Sequence, residues 1–291
     1  MVVSATAYAQ ASHHQRYVVA RSTAAPWDKG PVTTPPNPAP GAAEQQSTDQ
    51  ADPVDADQTH VIYFVPKDKP NQDLDALGGP IRDSLRSIRA WFSAQTAPNA
   101  KRPRFDMTST GQFDITFVQG QQNADQYTTL DSIRNEIQPN FKAPNKRYMI
   151  FAAVDRGATC GEGYFPIPPV YDQGQYSAVY LDSSGCHMRD FGDGTIAGSG
   201  RADRVAIHEW LHNEGIVAPD APHHCASNPN HVCTGPLWVM DGLDPEQADL
   251  MFPYVSGGLK DAVLDIDHDD YLDTPWPWIT NLRDSPFLED G

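Results

Sequence analysis

The stretch "VAIHEWLHNEGIVAPDAPHH", residues 205–224, carries four of the chain's ten histidines and restricts the fold more than any other feature. On a helix over residues 201–214, His208 and His212 stand one turn apart on the same face, because side chains at i and i+4 lie one above the other. Two ring nitrogens then converge on one point, while Glu209 stands about 100° further round the helix. This is the H-E-x-x-H arrangement, in which two imidazoles hold zinc and the glutamate serves as general base. Val205, Ile207, Trp210 and Leu211 surround the histidines and predict a buried helix. Buried imidazoles need either hydrogen-bond partners or a cation.

With 291 residues the chain can bury a substantial core, as one large domain or two small ones. Its formal charge of −17 and pI near 4.7 argue against a nucleic-acid partner, which requires clustered Lys and Arg. No apolar run approaches the roughly 20 residues needed to cross a bilayer. Residues 1–12, within "MVVSATAYAQASHHQ", read as the latter part of a secretory signal, with small residues in an A-x-A pattern. Residues 13–57, rich in Pro, Ala, Gln and Asp, read as an extended, mobile leader. The ordered domain is expected over 58–291. Four cysteines fall into two local couples, Cys160 with Cys186 and Cys225 with Cys233, which suits two bridges in an oxidising compartment. A secreted, monomeric protein is the expectation.

Within the domain, "HVIYFVPKD" (60–68) and "KRYMIFAAVD" (146–155) are apolar runs suited to buried strands. "GQFDITFVQG" alternates as a strand, and "YSAVYLDS" reads as an edge strand. Ile81, Leu85, Ile88, and Trp91 or Phe92 recur at helical spacing. "NADQYTTLDSIRNEIQPNF" predicts a second helix, closed by Pro139. Strands alternating with helices before an irregular C-terminal part indicate an α+β fold, a mixed twisted sheet backed by helices.

Gly215 lies on the histidine face, placed to end the helix in a left-handed conformation and turn the chain back; His223 and His224 follow eleven and twelve residues after His212. These features match the opening of the metzincin signature, H-E-x-x-H-x-x-G. "HEWLHNEGIVAPDAPHH", with "ADLMFPYVSGG" and "LDIDHDDYL", resembles a group of secreted bacterial metzincin-like zinc proteins. In that group the third histidine sits in an "APH" segment beyond the glycine. The resemblance implies a zincin/metzincin-like fold, one catalytic Zn2+ held by His208, His212 and His223, and Glu209 as catalytic base. His224 and then His231 stand behind His223 as alternatives. It also implies a Met-turn at Met251, with Met240 as competitor, and a bridge between the cysteines of "TCGEGYF" and "SSGCH". The usual metzincin spacing would put the third ligand at Ala218, which cannot serve, and Asp220 falls two residues late for an aspartate variant.

"DIDHDD" (265–270) starts like a calcium loop, but its sixth residue is Asp270 in place of glycine and its twelfth is Trp276, so a solvated acidic turn is expected. "DTPWPWITNLRDSPFLED" reads as a C-terminal packing segment. No G-x-S-x-G marks a serine nucleophile. The expected function is a zinc metalloendopeptidase acting on a peptide or protein substrate. The rival is a zinc-stabilised binding or surface protein of the same fold without turnover.

Overall fold

The computed structural model describes Asp49 and residues 52–166, 175–226, 228–233, 249–253 and 257–291. The described residues fall within the compact unit 36–291. The expected signal, most of the leader and the competing Met240 lie outside the described residues.

Ten regular elements follow in chain order: β1 (Gln58–Val65), α1 (Pro80–Gln95), β2 (Lys101–Pro103), β3 (Ile115–Gln119), α2 (Leu130–Ile137), β4 (Lys146–Ala152), β5 (Gly161–Gly163), β6 (Tyr176–Tyr180), α3 (Arg201–Asn213) and β7 (Leu288–Asp290). Five of the strands form one sheet in the order β3-β1-β4-β6-β5. The first four run parallel, with Val61 opposite both Ile115 and Met149, and β5 runs antiparallel to β6 at the edge. This is a mixed, mostly parallel sheet, compatible with an α+β fold.

Strand residues alternate between faces, and the two faces build two cores. Val61, Tyr63, Val65, Met149, Phe151 and Val179 pack with the apolar faces of α1 and α3. Ile62, Phe64, Tyr148, Ile150, Tyr176 and Ala178 pack with Leu130, Ile133 and Ile137 of α2. Helices on both faces explain why β1 and β4 read as unbroken apolar runs. Proline at the start of α1 pre-sets the helical φ, and the Thr129 hydroxyl caps α2 by accepting from the Ser132 N–H. The second helix is shorter than its sequence signal, because residues 124–126 form a separate 3-10 turn.

Three expectations are corrected. "YSAVYLDS" is not the edge: β6 is buried between β4 and β5. The edge is the glycine-flanked β5, which sequence alone does not mark as a strand. The end of the presumed mobile leader is fastened, since Asp49 and Asp52 each ion-pair with the 3 % exposed Lys146, at 2.7 and 2.6 Å, beside Asp106. A buried ammonium requires such partners. Third, "DIDHDD" is solvated only at its tip, for Asp267 and His268 are exposed while Asp265 and Asp270 are buried and accept backbone N–H bonds. The C-terminal segment packs as expected, through Ile279, Leu282, Phe287 and Leu288, while its Trp276 and Trp278 stand 41 % and 61 % exposed beside the exposed Pro275 and Pro277.

The glycines of β5 let it press directly on α3. A Cβ on Gly163 would lie 2.3 Å from the Glu209 carbonyl oxygen, and one on Gly161 2.6 Å from the Glu209 Cγ. Both obstacles belong to a packed helix. Gly163→Ala is therefore expected to destabilise the domain by roughly 1–3 kcal/mol, measured by chemical denaturation. An unchanged midpoint would mean that β5 does not rest on α3.

Candidate metal centre

The site is built on α3, which is buried along nearly its whole length. Trp210 fixes its rotation by burying its indole and donating Nε1–H to Thr59 Oγ1 on β1 at 2.9 Å. His208 and Glu209 are thereby turned toward the β5 edge. The helix ends at Gly215, whose φ is +79°. Gly215 N–H donates to His212 O and Ile216 N–H to Leu211 O, the paired bonds of a Schellman stop.

His208 and His212 do converge, and the third ring beside them is His231. One ligand nitrogen from each lies within 4.8 Å of the others. His223, the residue favoured by the resemblance, is turned elsewhere: its Nδ1 donates to Asp270 Oδ2 at 2.9 Å and its backbone N–H to Asp270 Oδ1 at 2.8 Å. His224 Nε2 accepts from the Asn230 N–H. The resemblance to the "APH" segment puts His231 behind both, and the spacing of the histidines shows nothing of a hairpin beyond His224. The available signal is the bracketing of His231 by the Cys225–Cys233 disulfide, with Cys225 N–H donating to His231 O. The other bridge joins Cys160 to Cys186.

The tautomers are set by backbone carbonyls, which can only accept. His208 Nδ1–H donates to Leu250 O at 2.7 Å, and His231 Nδ1–H to Pro229 O at 2.9 Å. In the neutral rings both Nε2 atoms then carry lone pairs, and these face one another at 3.3 Å. Burial pushes the His208 imidazole down to about 3 and His212 well below the usual histidine range. Burial also lowers His231. Two acceptors facing each other without a proton between them, beside the neutral His212 ring whose buried Nδ1 has no hydrogen-bond partner among the described residues, fit a cation, and all-imidazole nitrogen donors suit a transition metal.

Glu209 is 9 % exposed and its carboxyl is outside the cluster of three rings. Burial, and then the charge of Glu162, push it up to about 8. Both line a cleft of about 670 Å3 that opens onto the three histidines, with Gly161–Tyr164 on one wall and Thr129–Asp131 on another. Glu162 is itself held by the Leu130 N–H and the Tyr180 hydroxyl.

Met251 lies in a buried turn, but the turn acts on the histidines through its backbone. Leu250 O fixes His208, and Met251 O accepts from the N–H of Val232, next to His231. Asp249 holds this turn by accepting from Met251 N–H, Ile266 N–H and the Tyr271 hydroxyl. Burial raises its carboxyl above the usual range. The acidic C-terminal stretch is thus a scaffold, which no sequence motif announced.

No family model and no curated protein matches the chain. Among solved structures, two crystal forms of wild-type OgpA from Akkermansia muciniphila match with TM-scores of 0.32 and identities of 15 % and 18 %, over 64 % and 65 % of this chain and 54 % and 55 % of theirs. A catalytically inactive OgpA in complex with an O-glycopeptide substrate matches with a TM-score of 0.27 and 14 % identity, over 64 % of this chain and 53 % of that one. The chain thus spans about half the length of those proteins.

The His223 pairing carries a pH signature. Asp269, and then Asp270, hold the His223 imidazolium and raise it to about 10; Asp267 and His268 are the other titratable groups nearby. A histidine raised above its unfolded value of about 6.5 stabilises fully below that pH and loses its contribution as pH rises through about 10. The stability difference between wild type and His223→Gln should be constant below about pH 6 and shrink toward zero above about 10, by denaturation at each pH. A difference independent of pH would contradict the pairing.

Proposed function

We propose that the protein is a secreted zinc-dependent peptidase in which His208, His212 and His231 hold the metal and Glu209 is the general base. The observation that carries this reading is the pair of unprotonated Nε2 atoms of His208 and His231 facing each other at 3.3 Å on the floor of an open cleft. Three imidazoles with a fourth side open to a cleft are the donor set of catalytic zinc, whereas structural zinc sites are closed by four protein ligands. Zinc so bound supplies Lewis acidity, polarising a carbonyl and lowering the pKa of water to about 7.

The chain's own residues supply the rest. Glu209, adjacent to a ligand but pointing into the cleft, takes a proton from the attacking water and passes it to the leaving amine. The outer edge of β5, beside Glu209, offers main-chain donors and acceptors to an extended peptide. Burial of Glu209 against β5 keeps bulk water from its inner side. Two disulfides support an extracellular setting, and among the described residues no helix is long and apolar enough to cross a membrane.

Metal content and hydrolysis of a generic peptide substrate test the reading together. Glu209→Ala is expected to keep stoichiometric zinc and lose about 10²- to 10⁴-fold in rate. His231→Ala is expected to lose both. Full turnover by Glu209→Ala would sink the mechanism, and a His231→Ala variant with tightly held zinc would remove His231 from the ligand set. A wild type that holds zinc without any hydrolysis would favour the binding-protein alternative.

A further inference from the structure

His231 reaches the cluster from a hairpin whose described arms, residues 223–226 and 228–233, belong to none of the described helices or sheet strands. Its geometry must therefore be imposed by contacts at its base. Two sets of bonds do this. On the inner side, Val232 N–H donates to Met251 O. At the base, Cys233 N–H donates to His223 O, the Cys225–Cys233 bridge ties the two arms, and Cys225 N–H donates to His231 O. His223 is thus the residue on which the hairpin closes.

His223 is in turn gripped twice by one carboxylate. Asp270 is 1 % exposed, and its two oxygens take the backbone N–H and the Nδ1–H of the same residue, at 2.8 and 2.9 Å. Asp269 adds a carboxylate oxygen 3.5 Å from Nδ1. A two-point grip fixes the direction of the His223 backbone as well as its position, which a single ion pair would not do. Asp270 itself cannot shift, since the N–H groups of the next two residues, Tyr271 and Leu272, are bound to buried Asp265, and the Tyr271 hydroxyl to Asp249. Asp249 also holds the turn that fixes His208 through Leu250 O.

We propose that Asp270 is a positioning residue for the metal centre: through its double grip on His223 it sets the hairpin that presents His231 to His208 and His212. The proposal rests on the reading that these three histidines hold the metal. The "APHH" segment then has a definite role, aligning the ligand without being one. Asp270 and Asp249, from one scaffold, fix rings that arrive from separate parts of the chain.

The test uses the full chain loaded with cobalt(II), whose visible absorption reports coordination geometry. His223→Gln replaces the imidazolium by an uncharged side chain of similar reach on a partly exposed residue, and Asp270→Asn removes the charge and one acceptor. Both are expected to retain the fold by far-ultraviolet circular dichroism, to alter the cobalt spectrum, and to weaken metal binding in chelator competition by about 10- to 100-fold, the range for residues that orient ligands. Excess metal should restore hydrolysis, because Glu209 is untouched. If Asp270→Asn does not fold, His223→Gln decides. A wild-type spectrum with wild-type chelator resistance in His223→Gln overturns the proposal. Failure of the underlying reading looks different: His231→Ala would then leave the cobalt spectrum of the wild type intact.

Discussion

Everything at the centre of this molecule depends on two imidazole nitrogens that face each other at 3.3 Å without a proton to share. Each ring has committed its hydrogen to a main-chain carbonyl on its far side. In a buried site this arrangement is repulsive, and a polar group left so costs several kcal/mol in an apolar setting. A cation placed among the rings converts the repulsion into coordination. In the proposed centre, the stability of the hairpin and of the 249–251 turn would be linked to metal through the same bonds that orient the rings.

The supporting frame is made of buried carboxylates used as acceptors. Asp249, Asp265 and Asp270 between them take five backbone N–H groups, from Met251, Ile266, Tyr271, Leu272 and His223. Each satisfies a main-chain donor in an irregular segment, where no helix or strand partner exists. Irregular chain can be rigid when its donors are consumed in this way. That is how loops, not regular elements, come to deliver one histidine of the cluster and fix another.

The cleft arises from a different constraint. β5 can sit against α3 only because Gly161 and Gly163 have no side chain on that face. The close approach brings Glu209 beside a strand whose other edge has no partner strand among the described residues, and sends Glu162 the opposite way, where it closes the start of α2. One three-residue strand therefore bounds Glu209, the cleft and the start of α2 together.

The sequence alone determined what local geometry controls. A 3.6-residue repeat places His208, His212 and Glu209 wherever the rest of the chain goes, Gly215 stops that helix, and the apolar runs of β1 and β4 announce strands covered on both faces. The cysteines were legible as couples because they are close in the chain. Tertiary structure decided the rest. Which of three histidines joins the pair depends on a hairpin closed by a disulfide and a carboxylate 47 residues away. Nothing in the spacing of His223, His224 and His231 encodes that contact. "DIDHDD" reads as solvated because aspartate is usually exposed, yet its Asp265 and Asp270 are buried because backbone donors of irregular chain, that of His223 among them, need acceptors. The edge strand was hidden for a related reason: its glycines were chosen by the approach of α3, a neighbour that a strand's own sequence cannot show.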